Sequence, residues 1–331
     1  WSWKKILIKF ITMKTKLLLF VLCICTSALT YAQDEELTEE AKRYCRYYQI
    51  DFCDSLPNVK HYLGSFDSLG YRMAMHYYLP KSVKGTVFIF HGYFDHVGLY
   101  GHLIKHCLEQ NLAVVAYDLP GHGLSSGRPT AIKSFDDYQI ALKGCIELCQ
   151  DNIQTPYYGI GQSTGGAVLI DHLLNRTQQF SSRVFEKVIL LAPLVRPMGW
   201  NGALFMHSVL GPFISTWRRV FSENSNDPAF IKFLKKHDPL QSRIMSIEWI
   251  TALRRWITAI ENTNAVEGRV SIVQGKLDMT VDWRHNITIL QQKFSDVNVQ
   301  YVSKGRHHLV NESEEIRELL FAEMECFLNT N

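Results

Sequence analysis

The five residues Gly161-Gln162-Ser163-Thr164-Gly165 have the G-x-S-x-G spacing of a strand-to-helix turn that displays a nucleophile. The apolar run Tyr157 to Ile160 precedes them and a helical stretch follows, which is the context such a turn requires. Glycines flank the serine because the turn is too tight for side chains there. A serine hydroxyl is a weak nucleophile until a base takes its proton, and the base needs a carboxylate to orient it. In chains built on this turn the acid follows the serine and the histidine comes last. Asp278, in Gly275-Lys276-Leu277-Asp278, stands just past the apolar run Val270 to Gln274, with Asp282 as the fallback acid. Lys304-Gly305-Arg306-His307-His308 follows the run Val297 to Val302 and leaves two adjacent histidines open as the base. Acyl transfer also needs backbone N–H donors where negative charge develops. His91-Gly92-Tyr93 directly follows the run Thr86 to Phe90, so Tyr93 and Thr164 are the expected oxyanion donors. His91 reads as a packing residue, and Asp118 and His122 of Asp118-Leu-Pro-Gly-His-Gly123 as parts of a tight structural loop.

These residues need elements that bring them to one place. From about His61, short runs rich in Val, Ile, Leu and aromatics (Tyr71 to Leu79, Thr86 to Phe90, Leu112 to Tyr117, Tyr157 to Ile160, Val188 to Leu191, Val270 to Gln274, Val297 to Val302) alternate with helical stretches. The helical stretches lie near Gly98 to Gln110, Phe135 to Asp151, Gly165 to Arg176, Trp283 to Phe294 and Ser313 to Leu328. The later β-rich runs are continuous rather than alternating, as strands covered on both faces are. The alternation predicts a mostly parallel α/β sheet, with ligands at its carboxyl edge. Between Pro197 and about Val266 no convincing strand is read. Phe205, Phe213, Trp217, Phe221, Phe230, Phe233, Trp249, Leu253, Trp256 and Ile260 lie there at helical spacing, which predicts a helical cap over that edge. Some of these side chains are expected to face an apolar ligand and others to fill the cap's own core. The expected organisation is a leader over 1–32, an N-terminal arm over 33–60, an α/β core over 61–196 and 266–331, and the cap over 197–265.

The chain has 331 residues, 47% of them hydrophobic and 20% charged, which excludes disorder and coiled coil as the main architecture. Its net charge is +3, but the five lysines before Gln33 account for the excess, and the remainder holds 30 basic against 32 acidic residues. No basic stripe marks a nucleic-acid partner. Met13-Lys14-Thr15-Lys16 and the uncharged run Leu17 to Ala32 have the order of a secretory signal peptide, with cleavage expected after Ala32 and a secreted or periplasmic destination. An uncleaved membrane anchor is the alternative. A lipid-modified Cys23 or Cys25 is disfavoured by the large Leu22 and Ile24 before them. Of the six later cysteines, Cys45 and Cys53 are the expected disulfide pair in an exported chain, whereas Cys145 and Cys149 read as two buried thiols on one helix face. No cysteine and histidine spacing fits zinc, and the chemistry calls for neither metal nor organic cofactor. Asn175, Asn286 and Asn311 open glycosylation tripeptides that carry little weight.

Taken together, these residues resemble the serine hydrolases of the α/β-hydrolase superfamily that include bacterial lysophospholipases and monoacylglycerol lipases. The resemblance runs from about residue 61 onward. It rests on His91-Gly-Tyr-Phe-Asp95-His96 with Tyr100, Tyr117-Asp-Leu-Pro-Gly-His-Gly123 with Ser125 and Gly127, Gly161-Gln-Ser163-Thr-Gly165, Gly275-Lys-Leu-Asp278 with Val281, and Arg306-His307 with Asn311-Glu312. Asp227-Pro-Ala-Phe230, His237-Asp238-Pro239-Leu240 and the stretch Trp249 to Trp256 resemble that family's cap. The resemblance implies that His307 rather than His308 is the base. It also implies an α/β-hydrolase fold, a small amphiphilic lipid ester as substrate and a transient membrane-surface contact through the cap. The chain departs from the pattern at Asp95, where glutamate is usual, and at His308, where glutamate or a similar residue follows the base. Peptide, thioester or general ester hydrolysis, and acyl transfer, are alternatives on the same triad, and a non-catalytic binding module is a further one.

Overall fold

The computed structural model describes residues 37–174, 180 and 183–329. It begins with α1 (Glu39–Tyr47), capped by the Thr38 hydroxyl, which accepts from Ala41 N at 3.2 Å. A hairpin of β1 (Val59–Ser68) and β2 (Tyr71–Pro80) follows. Strands and helices then alternate: β3 (Gly85–Phe90), α2 (Gly101–Glu109), β4 (Leu112–Tyr117), α3 (Asp136–Cys149), β5 (Tyr157–Gln162), α4 (Thr164–Leu174) and β6 (Lys187–Leu191). The cap segment holds α5 (Trp200–Leu210), β7 (Thr216–Arg218), α6 (Pro228–Lys236), β8 (Ile244–Ser246) and α7 (Ile247–Asn262). After it come β9 (Val266–Gly275), α8 (Trp283–Lys293), β10 (Phe294–Val302) and α9 (Glu314–Asn329).

Eight strands form one sheet in the order β1-β2-β4-β3-β5-β6-β9-β10. The pairs from β4 to β10 are all parallel, and only β1 with β2 and β2 with β4 run antiparallel. All six residues of β3 and of β4 are buried, as a sheet with helices on both faces demands. Phe88 and Phe90 point into a core with α3, α4 and α8, while Val87 and Ile89 point into a second core with α1, α2 and α9. This α/β-hydrolase architecture puts the carboxyl ends of β3, β5, β9 and β10 along one rim.

Several expectations need correction. The cap contains a short antiparallel pair, Thr216–Arg218 against Ile244–Ser246, which three-residue strands leave too little periodicity to reveal. Trp249, Leu253, Trp256 and Ile260 are buried in the core of α3, with Trp256 stacked on Phe135 at 4.9 Å and Trp249 Nε1 donating to Tyr138 OH at 3.1 Å. Cys45 and Cys53 are not bonded: Cys45 lies on the buried face of α1 beside His61, and Cys53 is an exposed free thiol. Cys145 and Cys149, as expected, share the buried face of α3, each 3.9 Å from the Met75 sulfur. Asn286 and Asn311 are buried and donate to backbone carbonyls, of Pro193 and Arg196 and of Leu99 respectively, so neither is accessible to a glycosyltransferase in the folded chain. The leader and Asn175 lie outside the described residues.

Candidate active site

Ser163 sits between the last residue of β5 and the first of α4, with φ +53°, in the left-handed region that a side chain normally avoids. Three backbone bonds hold it there: its N–H donates to Leu191 O at 2.9 Å, and its carbonyl accepts from Ala167 N and Leu194 N, each at 3.1 Å. A Cβ on Gly165 would lie 2.0 Å from Phe90 O, and one on Gly161 would lie 2.4 Å from Gly165 O. The flanking glycines are therefore steric necessities of the turn. Thr164 is the first residue of α4, and the first N–H groups of a helix have no partner within it.

The acid and the base meet across two strand ends. His307 Nδ1 lies 2.8 Å from Asp278 Oδ2, and a carboxylate only accepts, so the proton is on Nδ1 and Nε2 keeps its lone pair. Asp278 Oδ2 also accepts from Gln274 Nε2 at 3.1 Å, and Oδ1 accepts from Thr280 N at 2.7 Å and Val281 N at 3.2 Å. Burial works to raise the Asp278 pKa, but the His307 charge and these hydrogen bonds outweigh it and hold the carboxyl below its ordinary range. For His307, burial works downward, and the charges of Asp278 and Asp95 with the Asp278 bond leave its pKa raised. The loop carrying His307 passes so close to β9 that a Cβ on Gly275 would lie 2.3 Å from Arg306 O. It also reaches the nucleophile turn, where Val310 N donates to Gln162 Oε1 at 3.5 Å.

The remaining wall is the turn after β3. A Cβ on Gly92 would lie 3.4 Å from Ser163 Cβ and 2.8 Å from Asp95 Oδ2, so this turn runs directly beside the nucleophile. Tyr93 OH donates to Thr130 O at 2.8 Å and accepts from Ser246 N at 3.2 Å, and its ring stacks on Trp249 at 3.8 Å, which roofs the turn with the cap. Asp95 is buried with its Oδ2 3.1 Å from His308 Nε2 and accepting from Tyr100 OH at 3.1 Å. Burial works to raise its pKa, yet the His308 charge beside it keeps the carboxyl far below its ordinary range. The two departures from the family pattern thus face each other. His308 is engaged by Asp95 and His307 by Asp278, which separates the two adjacent histidines.

Residues read as structural are so placed. His91 Nδ1 donates to Gly92 O and Nε2 accepts from Leu119 N, both at 2.8 Å, and burial lowers its pKa to about 3. Asp118 accepts from Val97 N and Leu124 N, each at 2.7 Å, and His122 Nδ1 donates to Pro120 O at 2.8 Å. Asp282 accepts from Arg196 Nε and Nη2 and caps α8, away from either histidine.

The cap is fastened to both loops. His308 N donates to Asn224 O at 2.7 Å, Ser225 Oγ to Asn311 O at 2.6 Å, and Asn226 N to the buried Glu312 at 2.6 Å, while Arg306 Nε donates to Asn226 Oδ1 at 3.0 Å. At the other end of this cap segment the Arg219 guanidinium lies over the Phe94 ring at 4.0 Å and the Phe221 ring at 4.3 Å. Residues 219–226 therefore bridge from the turn beside Ser163 to the loop bearing His307. Nothing in the local sequence marks Arg219 or the Asp95 and His308 partnership, because both depend on contacts between distant segments.

Comparisons with known proteins bear on the fold and the family. An uncharacterized abhydrolase domain-containing protein of Dictyostelium discoideum is 28% identical over 150 residues, 44% of this chain but only 15% of that protein's length. The monoglyceride lipase of Homo sapiens is 23% identical over 273 residues, covering 76% of this chain and 85% of that one. Among solved structures, a soluble variant of monoglyceride lipase from Saccharomyces cerevisiae, in complex with a substrate analog, superposes with a TM-score of 0.70 at 16% identity, covering 81% of this chain and 94% of that one, and shares the fold. The profile of the family described as serine aminopeptidase, S33, matches residues 81–314, well over half of the chain. The protein belongs to that family of α/β-hydrolases.

Proposed function

We propose that the protein is a serine hydrolase that cleaves carboxylic esters of single-chain lipids, of the monoacylglycerol or lysophospholipid kind. The observation that carries the proposal is the His307 to Asp278 bond on the rim where Ser163 is displayed. Ser163 Oγ attacks the ester carbonyl carbon while His307 Nε2 takes its proton, and Asp278 holds the imidazole and stabilises its charged form. The N–H groups of Tyr93 and Thr164 donate to the oxyanion. Collapse breaks the bond to the alcohol, which leaves with the proton from His307, and water attacks the acyl-enzyme by the same route. The lipid reading is supported by relatives named monoglyceride lipases and by an apolar rim. Phe205 and Phe213 of the cap are 68% and 83% exposed, and Met279, next to the acid, is 70% exposed. Met198 N donates to Thr280 O at 2.9 Å, which joins the cap's apolar face to the acid loop, so we take a lipid surface as its partner.

The family description favours a second reading, release of an N-terminal residue from a peptide. That reaction needs a free carboxylate for the substrate ammonium. Here Asp95 is engaged by His308, and the cap brings a guanidinium to the rim instead. Purified protein and Ser163→Ala, assayed on acyl glycerols, lysophospholipids and aminoacyl amides, decide the matter. Acyl-ester cleavage that disappears in Ser163→Ala is expected; equal activity in both, or cleavage of aminoacyl amides alone, overturns the proposal. The leader pattern of residues 13–32 leads us to propose export as well, tested by fractionation and by N-terminal sequencing for Gln33.

A further inference from the structure

Arg219 is an arginine held in place by neutral partners alone among the described residues. Its side chain lies between two aromatic faces, Phe94 on the turn beside Ser163 and Phe221 in the cap, which fixes the plane of the guanidinium. Its backbone N–H donates to Arg243 O at 3.0 Å, extending the β7 and β8 pairing by one residue. Of its five side-chain donors, only those on Nη1 are engaged among the described residues: they reach Gln241 Oε1 and, at 3.5 Å, Ser242 O, both neutral. Gln241 is itself buried, and its amide donates to Asp238 Oδ2 at 3.3 Å, so the group that orients Arg219 is anchored. Among the described residues no carboxylate makes an ion pair with Arg219. The two nearest in effect are committed elsewhere, Asp95 to His308 and Tyr100, and Asp238 to His96 and Tyr48. Arg243 adds a second cation 4.8 Å from the same Phe221 ring. The Nε and Nη2 edge, the one suited to two parallel bonds with a phosphate or carboxylate, is left over.

We propose that Arg219 is the subsite for an anionic oxygen group on the alcohol side of the ester, a phosphate in particular, so that the preferred substrate is a lysophospholipid rather than a neutral glyceride. The inference rests on the ester-hydrolase reading above. The acyl chain is apolar, so an anionic group on a single-chain lipid ester can only be carried by the leaving alcohol. The segment 219–226 runs between the two loops that flank the nucleophile, and its guanidinium rests on Phe94 of the turn beside Ser163, so we assign the leaving alcohol to that wall.

The test compares octanoylglycerol with octanoyl glycerophosphate, both below their aggregation limits so that surface effects drop out. The quantity read is the ratio of kcat/KM for the phosphate substrate to that for the neutral one. Wild type is expected to favour the phosphate substrate. Arg219→Gln is expected to lower the ratio roughly 10- to 100-fold, the range for a charge-assisted bond in a partly desolvated site. Arg219→Lys, which keeps the charge and loses the fork, falls between. A ratio unchanged in Arg219→Gln, or a wild type that favours the neutral ester, overturns the inference and leaves ester hydrolysis standing. Cleavage of neither ester by wild type overturns the hydrolase reading itself. If Arg219→Gln fails to fold, wild type alone gives the answer. Glycerophosphate should then inhibit octanoylglycerol hydrolysis competitively, and inhibition no stronger than that by glycerol overturns the inference.

Discussion

Replacing Asp278 by asparagine removes no volume and tests the chemistry alone. Two backbone donors, Thr280 N at 2.7 Å and Val281 N at 3.2 Å, fix an accepting atom at the Oδ1 position, so the new amide oxygen settles there. Its NH2 group then takes the Oδ2 position and faces two donors, Gln274 Nε2 and His307 Nδ1. Gln274 adapts by turning over, which offers its Oε1, buried with no partner among the described residues, to the new amide and gives up the bond from its Nε2 to Gly275 O at 3.0 Å. His307 adapts only by moving its proton from Nδ1 to Nε2, and then it has no lone pair for the Ser163 proton. The fold persists and the tautomer is wrong, for which the expected loss of kcat is about 10⁴-fold, or about 5 kcal/mol of transition-state stabilisation. Initial rates of octanoate release from octanoylglycerol, beside thermal denaturation of both proteins, measure it. A kcat within tenfold of the parent, or an Nδ1 proton resonance retained in Asp278→Asn, would refute the reasoning.

Further expectations follow from the same contacts. His307 must be neutral to act as base and its pKa is raised above 6.5, so kcat/KM should fall on acidification with a midpoint above 6.5; a midpoint below it contradicts the Asp278 and Asp95 influence. His308→Ala leaves the buried Asp95 carboxylate without the imidazole 3.1 Å from its Oδ2 and should destabilise the fold by about 3 kcal/mol. Because the folded-state pKa of Asp95 is depressed, the stability it contributes is present above its unfolded value and lost only as pH falls further, so urea melts of the two proteins should stay apart down to about pH 4 and converge only below it. Gly165→Ala drives a Cβ into the Phe90 carbonyl, and a loss of about 3 kcal/mol or more is expected in urea; an unchanged midpoint contradicts the packing. Phe205→Asp with Phe213→Asp should weaken sedimentation with phosphatidylcholine vesicles without lowering kcat on a dispersed substrate.

Much of the sheet can be read from the chain because buried parallel strands are continuous apolar runs, and the nucleophile turn because its glycines answer a steric demand that few other geometries make. The edge strand Val59–Ser68 escapes: five of its ten residues are only partly buried and three are exposed, so it carries little pattern. The cap's three-residue strands are too short to show any. Cys45 misleads for another reason. The arm around it is polar, but Ala41, Tyr44 and Cys45 share the one face of α1 that packs on the core, and only the fold says which face that is. The pairing of Asp95 with His308 spans more than two hundred residues, and each looks like an isolated irregularity until the two loops are folded together.

The bonds from Asn224, Ser225 and Asn226 to the His308, Asn311 and Glu312 stretch make the roof and the proton acceptor one mechanical unit. A displacement of residues 224–226 would pull on the same stretch that follows the imidazole, so shielding the nucleophile and aligning its base are one task of a single set of bonds.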